Sequence, residues 1–476
     1  MDNEMNFEDF FDNDGDGDNG YESGSESNPW QAAEHKAKRA FELYEEGAIS
    51  EALLLINEAL QIDPSNSRWH FNKALALDAM EHFEDAITAY HAALESDPDD
   101  AEILNCLAID YTRTGQYDSS ISTFESIEKN NPDFEPGYCN RIITYTEMGD
   151  YEMAEQMFYL AQQLNEDCPL CFYNLGNSFF IQGIYDKAIW CWKKTVSLES
   201  DHPQINYRIA QGYWALNEKK KASTFFLKEL RKNPGDVDVI FDFGLFLLSC
   251  GEVASAGEKF NRILELCPDF APAVHYLGEI ELHKGNIEKA KSLFNEALEL
   301  DCDIAGARFR LAQCAMAAGD EDKAFTLLTT ELELDVCDNS VLSAIGVMMK
   351  QLGKTDYATH CFLKITETAA SDAENYLNLA EVLTVRNELE DAADFLEYAL
   401  QLKDDDAEFA KKVARLYSAM KMPGRAVEAI ISAQKSCSDD GLSNLFLKTR
   451  YRSQKVSLDS IEIFKRFKRH LTKQVK

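Results

Sequence analysis

Small, large and polar residues return at the same places every 34 residues from Ala33 to Asp440, through twelve segments without an insertion or a deletion. Position 20 of the segment is alanine in eleven of the twelve, from Ala52 to Ala426, and Ser120 is the exception. Position 8 is Ala or Gly in eleven, among them Ala40, Ala74, Gly176, Gly244, Gly278 and Ala414, and Ile142 is the exception. Position 24 is always large and apolar, from Ile56 and Tyr90 through Trp192 and Phe294 to Ile430. Between these anchors the apolar residues keep helical spacing. Each segment therefore predicts two helices that approach closely at the two small positions, with residue 24 filling the space between neighbours.

The breaks between helices are equally regular. Position 15 is Gly in eight segments, such as Gly47, Gly115 and Gly353, and Asn in two more, Asn217 and Asn387. Both residue types tolerate the left-handed backbone that ends a helix. Pro64, Pro98, Pro132, Pro234 and Pro268 mark a second break at position 32. Each unit reads as helix, tight turn, helix, short loop.

This pattern resembles the tetratricopeptide repeat family, whose 34-residue period and small, small, aromatic and proline positions are matched here. The resemblance implies an all-α fold, a right-handed superhelical solenoid of about twelve tetratricopeptide helix-turn-helix repeats over residues 33–440. It also implies that the first helix of each pair lines a concave groove and the second covers the outside. For function it implies a binding surface, because a fold does not dictate its use.

Charge separates the two flanks from the repeats. The formal net charge is −36; residues 1–32 hold ten acidic and no basic side chains, residues 441–476 hold ten basic and two acidic, and the repeats carry 71 acids against 37 bases. So acidic a surface repels a phosphate backbone, which argues against nucleic acid as a partner. Residues 1–32 have too few large apolar residues to offset the entropy of ordering and read as a disordered acidic tail, in which Phe7, Phe10 and Phe11 suggest a short docking motif. Residues 441–476 leave the repeat pattern at Lys448. They place Ile461, Phe464, Phe467 and Leu471 at helical spacing among lysines and arginines, which reads as basic C-terminal capping helices able to contact an acidic surface.

No run approaches the length that crosses a bilayer, so stable membrane insertion is not expected, and the acidic start differs from a basic signal peptide. The expected location is cytoplasmic. The twelve cysteines then read as reduced thiols, and their scatter shows no disulfide framework.

Candidate chemistry is sparse. Asp12, Asp14, Asp16 and Gly17 reproduce the first half of a calcium loop, but Ser23 replaces the bidentate Glu at its twelfth position. Cys168 and Cys171, as CPLC, have the spacing of half a zinc site or a redox pair, yet no further ligands follow at a matching spacing, so they read as incidental thiols. Cys267, Cys302 and Cys337 fall at positions 31, 32 and 33 of successive repeats, too far apart to share a bond or an ion. His275, Glu279 and His283 share a helix face, which reads as a polar groove rather than a metal site. No nucleophile with its base, catalytic carboxylate pair or phosphate loop interrupts the repeats. The expectation is a non-catalytic protein with no cofactor and no metal.

Binding is expected on the first helices. Asn72, Asn140 and Asn174 hold position 6 in repeats two, four and five; Tyr173 and Asn177 join the fifth, and Tyr207, Arg208, Gln211 and Trp214 the sixth. Asparagine rows of this kind are similar to those with which other tetratricopeptide proteins hold extended peptides, since an amide both donates and accepts. Cys106 and Asp242 interrupt the row. Ala37, Phe41, Phe71 and Leu75 stand where a clamp for a C-terminal carboxylate would need polar groups. The leading reading is a protein interaction scaffold that holds an extended peptide or helix of a protein partner in its groove. The alternatives are an autoinhibited regulator, whose acidic tail folds back on the protein, and a targeting subunit that docks an enzyme or a membrane through the basic C-terminal helix.

Overall fold

The computed structural model describes residues 29–334, 339–367, 372–403 and 406–436. The acidic tail with Phe7, Phe10, Phe11 and the Asp12, Asp14 and Asp16 run, together with Cys337 and the basic C-terminal segment, lies outside the described residues. Among the described residues there are twenty-four helices and no strand. Every repeat contributes two helices, from Pro29–Glu45 and Ile49–Leu60 in the first to Ala407–Ala419 and Pro423–Ser436 in the twelfth. The chain divides into two compact units, Met1–Pro234 and Gly235–Lys476, which hold repeats one to six and seven to twelve.

Within each unit the two helices of a repeat pack on each other, and the second helix packs on the first helix of the next repeat. First helices also meet directly along the stack. In the first unit Glu135–Glu147 packs on both Ala101–Arg113 and Pro169–Ile181, and in the second Asn339–Gln351 packs on Ala373–Val385. The face on which first helices meet is the inner face of these stacks.

Close approach inside a repeat is set by positions 8 and 24. A Cβ built on Gly176 would sit 2.6 Å from Trp192, on Gly244 2.7 Å from Phe260, on Gly278 2.7 Å from Phe294 and on Gly346 2.8 Å from Phe362. Glycine at position 8 thus accompanies an aromatic at position 24, whereas the aliphatic residues Ile56, Leu328, Leu396 and Ile430 face Ala40, Ala312, Ala380 and Ala414. The two residues share one volume. Ile142, the exception at position 8, shows the converse, because its partner Phe158 is 8% exposed where Phe226, Phe260, Phe294 and Phe362 are 0% exposed.

Other departures from the pattern have compensating contacts. Ser120, alone at position 20, is buried, and its hydroxyl lies 2.9 Å from Thr112 Oγ1 and 3.3 Å from Thr144 Oγ1. The three hydroxyls satisfy one another between repeats three and four. First helices are commonly capped by the residue at position 34 before them; Asp100 Oδ1 accepts from the backbone N–H of Glu102 and Ile103 at 3.0 and 3.1 Å, and Asn66, Asp236, Asp372 and Asp406 cap likewise. In repeats six and nine the first helix starts late, behind Gln204 and Gly306 in left-handed backbone. There a buried glutamate on the second helix replaces the cap: Glu229 accepts from Asn206 N at 3.2 Å and Glu331 from Gly306 N. Both glutamates hold position 27, which is Ala, Ile or Thr in the other repeats whose second helices are described to that point.

All twelve residues at position 15 have positive φ, including Asn217 at 56°, Asn387 at 65°, Glu81 at 61° and Lys421 at 60°. For Glu81 and Lys421 the side chain makes this conformation costly. Glu81→Gly is expected to raise stability by up to about 1 kcal/mol, read as a higher urea midpoint with unchanged m. No change in midpoint would mean that the turn carries no strain there.

A second expectation concerns the shared volume. Gly244→Ala is expected to destabilise the second unit by about 1–3 kcal/mol through overpacking against Phe260, and Phe260→Leu in the same chain is expected to recover part of the loss. Additive losses in urea titrations of the single and double variants would sever the link between the two positions.

Candidate functional site

The inner face of repeats five and six gathers aromatic and amide side chains at matching positions of two consecutive first helices. Tyr173 and Tyr207 hold position 5, Asn177 and Gln211 position 9, Phe180 and Trp214 position 12. All six are partly exposed. Tyr173 lies 4.6 Å, ring to ring, from His202, while Tyr207 and Trp214 pack against Phe226 at 6.2 and 6.4 Å. Asn177 Oδ1 accepts from Trp192 Nε1 at 3.2 Å, so the position 24 aromatic holds this amide in place. Arg208 donates to Gln211 Oε1 at 3.3 Å and lies over the Tyr207 ring, its guanidinium carbon 5.9 Å from the ring centre.

The remaining asparagines are placed differently. Asn140 and Asn174 are buried, and each donates across to the preceding first helix: Asn140 Nδ2 to Asn105 Oδ1 at 3.1 Å, Asn174 Nδ2 to Cys139 O at 2.9 Å. Their donors are committed to holding neighbouring repeats together. Asn72 is half-buried beside an apolar cleft lined by Phe41, Tyr44 and Leu75. In the second unit the corresponding face is tied up by ion pairs, with Arg310 on Glu279 and Lys350 on Glu381 at 2.6 Å. Glu279 is thereby engaged, His275 is buried and His283 is exposed, so this face is the polar surface that the sequence suggests. Burial, with the charge of Arg310 beside it, holds the His275 imidazole down at about 4, and the ring is neutral at neutral pH.

Sequence spacing misses two features. On the outer helices Tyr159 and Trp190 are 60% and 61% exposed and continue an aromatic row through Phe158 and Phe172. The second corrects the reading of CPLC as incidental thiols. Cys171 is disulfide-bonded to Cys139 of the preceding first helix, 32 residues earlier. Cys168 Sγ lies 3.6 Å from Cys139 Sγ, and Glu135 Oε1 lies 2.9 Å from Cys139 Sγ and 3.5 Å from Cys171 Sγ. Glu135 and Cys139 are one helical turn apart on a helix whose own spacing suggests no ligand set. Their partners come from the next repeat, and only the stacking of repeats four and five brings them together.

A further buried group lies between repeats two and three. Asp110 is 1% exposed, with Arg113 at 3.2 Å and Arg113 also on Asp78. Burial, reinforced by the Asp78 carboxylate, holds the Asp110 carboxyl up at about 8, with Arg113 offsetting only part of this. The folded chain therefore keeps this proton where the unfolded chain has lost it, and this group's contribution to stability falls as pH rises from about 4 to about 8. Asp110→Asn is expected to flatten the fall, read by urea unfolding at pH 5 and pH 8. An unchanged pH slope would show the carboxyl to be ionised in the folded chain.

The paired, stacked helices with an inner face of aromatic and amide side chains define a helical-hairpin repeat protein. Tetratricopeptide repeat family models match residues 43–109, 138–168 and 276–335. Tetratricopeptide repeats are thus recognised in both units of the chain. No curated protein sequence matches it significantly. Among solved structures it is similar to yeast Tom70, with a TM-score of 0.48 and 15% identity over 85% of this chain and 99% of that one. A tetratricopeptide repeat protein from Parabacteroides merdae gives 0.41 and 17% over 56% and 99%, and the APC/C hetero-tetramer Cut9-Hcn1 gives 0.39 and 15% over 88% and 90%. Similarity at this level says nothing of partner or chemistry. No helix among the described residues is long and apolar enough to cross a membrane.

Proposed function

We propose that the protein is an interaction scaffold that holds an extended segment of a partner protein on the inner face of repeats five and six. The repetition of Tyr, amide and aromatic at positions 5, 9 and 12 of consecutive first helices carries this reading. Adjacent packed helices lie about 8–10 Å apart, which matches about three residues of an extended chain at roughly 3.3 Å each. Asn177 and Gln211 are then spaced to meet the partner's backbone at that interval, while Tyr173, Tyr207 and Trp214 offer flat apolar area at little entropic cost. Arg208, stacked on Tyr207, supplies a charge-assisted donor. Asn140 and Asn174 stiffen the face from below. The net charge of −36 favours encounter with a partner segment that carries basic residues elsewhere along its length. The autoinhibited and docking alternatives rest on the acidic tail and the basic C-terminal segment, outside the described residues.

The experiment is selection of binding peptides from an extended-peptide display library on the full chain, followed by titration against variants. Arg208→Ala and Trp214→Ala are each expected to weaken a selected peptide by about 2 kcal/mol, roughly thirtyfold, with unaltered circular dichroism. Lys289→Ala, at an exposed site on a second helix whose side chain is 64% accessible, is expected to bind as the parent does. Equal binding by all three variants would move the interface off this face.

A further inference from the structure

A disulfide consumes two thiols, but four metal-ligating groups converge between repeats four and five. Glu135, Cys139, Cys168 and Cys171 place one carboxylate oxygen and three sulfurs within 4.8 Å of one another, and all three cysteines are buried. They come from two helices and the loop that enters the second, so no local turn brings them together by default. Cys168 is the N-cap of Pro169–Ile181, and its sulfur accepts the backbone N–H of Cys171 at 3.4 Å.

We propose that the reduced chain binds one zinc ion through Cys139, Cys168, Cys171 and Glu135, and that the Cys139–Cys171 disulfide is the metal-free oxidised state of the same cluster. Four ligands around tetrahedral zinc, at about 2.3 Å for sulfur and 2.0–2.2 Å for oxygen, stand roughly 3.5–3.8 Å apart. The Cys139–Cys168 separation of 3.6 Å and the Cys171–Glu135 separation of 3.5 Å already fit. The bonded pair must open, and Glu135 Oε1 must draw back from its 2.9 Å approach to Cys139 Sγ. A dithiol reductant supplies the two electrons and two protons that convert the disulfide into two thiols and is itself oxidised to a cyclic disulfide. Zinc then displaces the three thiol protons to solvent, and the Glu135 carboxylate closes the shell. Three thiolates and a carboxylate exclude water from the metal, which is the arrangement of a structural rather than a catalytic site. Its position ties the first helix of repeat four to that of repeat five.

The test uses the full chain, reduced with dithiothreitol, loaded with zinc chloride and freed of excess, with metal measured by mass spectrometry. About one zinc per chain is expected, lost in Cys168→Ser and in Cys139→Ser and kept in Cys106→Ser, a buried thiol of repeat three. Cobalt(II) chloride in place of zinc is expected to give the thiolate charge-transfer and intense visible bands of tetrahedral cobalt. Because a serine variant can fail for reasons of folding, the parent chain supplies an independent reading: zinc should protect Cys139, Cys168 and Cys171 from alkylation and leave exposed Cys302 reactive. Absence of bound zinc in the reduced chain, retention by folded Cys168→Ser, equal loading of the oxidised chain, or unprotected thiols in the presence of zinc would each overturn the site.

Discussion

Everything in this protein depends on how closely two helices of one repeat can approach, and a single shared volume sets that distance. The side chain at position 24 lies across position 8 of its own hairpin, so position 8 stays Gly or Ala wherever position 24 is at most 2% exposed. Glycine under Trp192, Phe260, Phe294 and Phe362 and alanine under Ile56, Leu328, Leu396 and Ile430 are two solutions of one packing condition. Alanine under Tyr90, Phe124 and Phe226 is a third, and interiors at crystal-like density leave little slack for anything larger than alanine. Where Ile142 exceeds the limit, Phe158 moves outward and joins an aromatic row that reaches the surface at Tyr159.

With hairpin geometry fixed, the first helices are free to vary at positions that face neither their partner nor the next repeat. The second unit spends these positions on internal ion pairs, such as Lys350 with Glu381. Repeats five and six instead carry rings and amides. Ion pairs on an exposed face contribute little to stability and leave few donors for a ligand. Half-buried aromatics bring apolar area that a partner can cover. The proposed binding face is the one on which the partly exposed rings and amides of consecutive first helices fall in register.

The hairpins, their turns and the small positions were legible in the sequence because each is a local condition repeated twelve times; even Glu81 and Lys421 take the left-handed conformation that the period demands of position 15. That Tyr173, Asn177, Tyr207, Arg208, Gln211 and Trp214 lie on first helices and are partly exposed follows from the same period; that they bind a partner is the proposal above. What spacing along one helix could not reveal was contact between repeats. Asn140 and Asn174 look identical to a groove asparagine until the preceding first helix is in place to accept from them. Cys139 stands 29 residues before Cys168, a separation that fits no local ligand motif, and only stacking turns it into a neighbour. Glu229 and Glu331 give no sign of their burial in the sequence, because their position in the repeat says nothing of a missing cap on another helix.

Those two glutamates bear on how such arrays can be rebuilt. Where a side chain at position 34 caps a first helix, the cap belongs to the loop before it, so a whole 34-residue block can be shuffled if its junction travels along. In repeats six and nine the acceptor sits on the second helix of the same block, and the incoming loop offers none. These blocks carry their own cap at the entry, although their first helices still pack on the preceding repeat. They are natural points at which to begin a shortened array or to graft one array onto another, whereas a cut before repeat three would strip its first helix of Asp100.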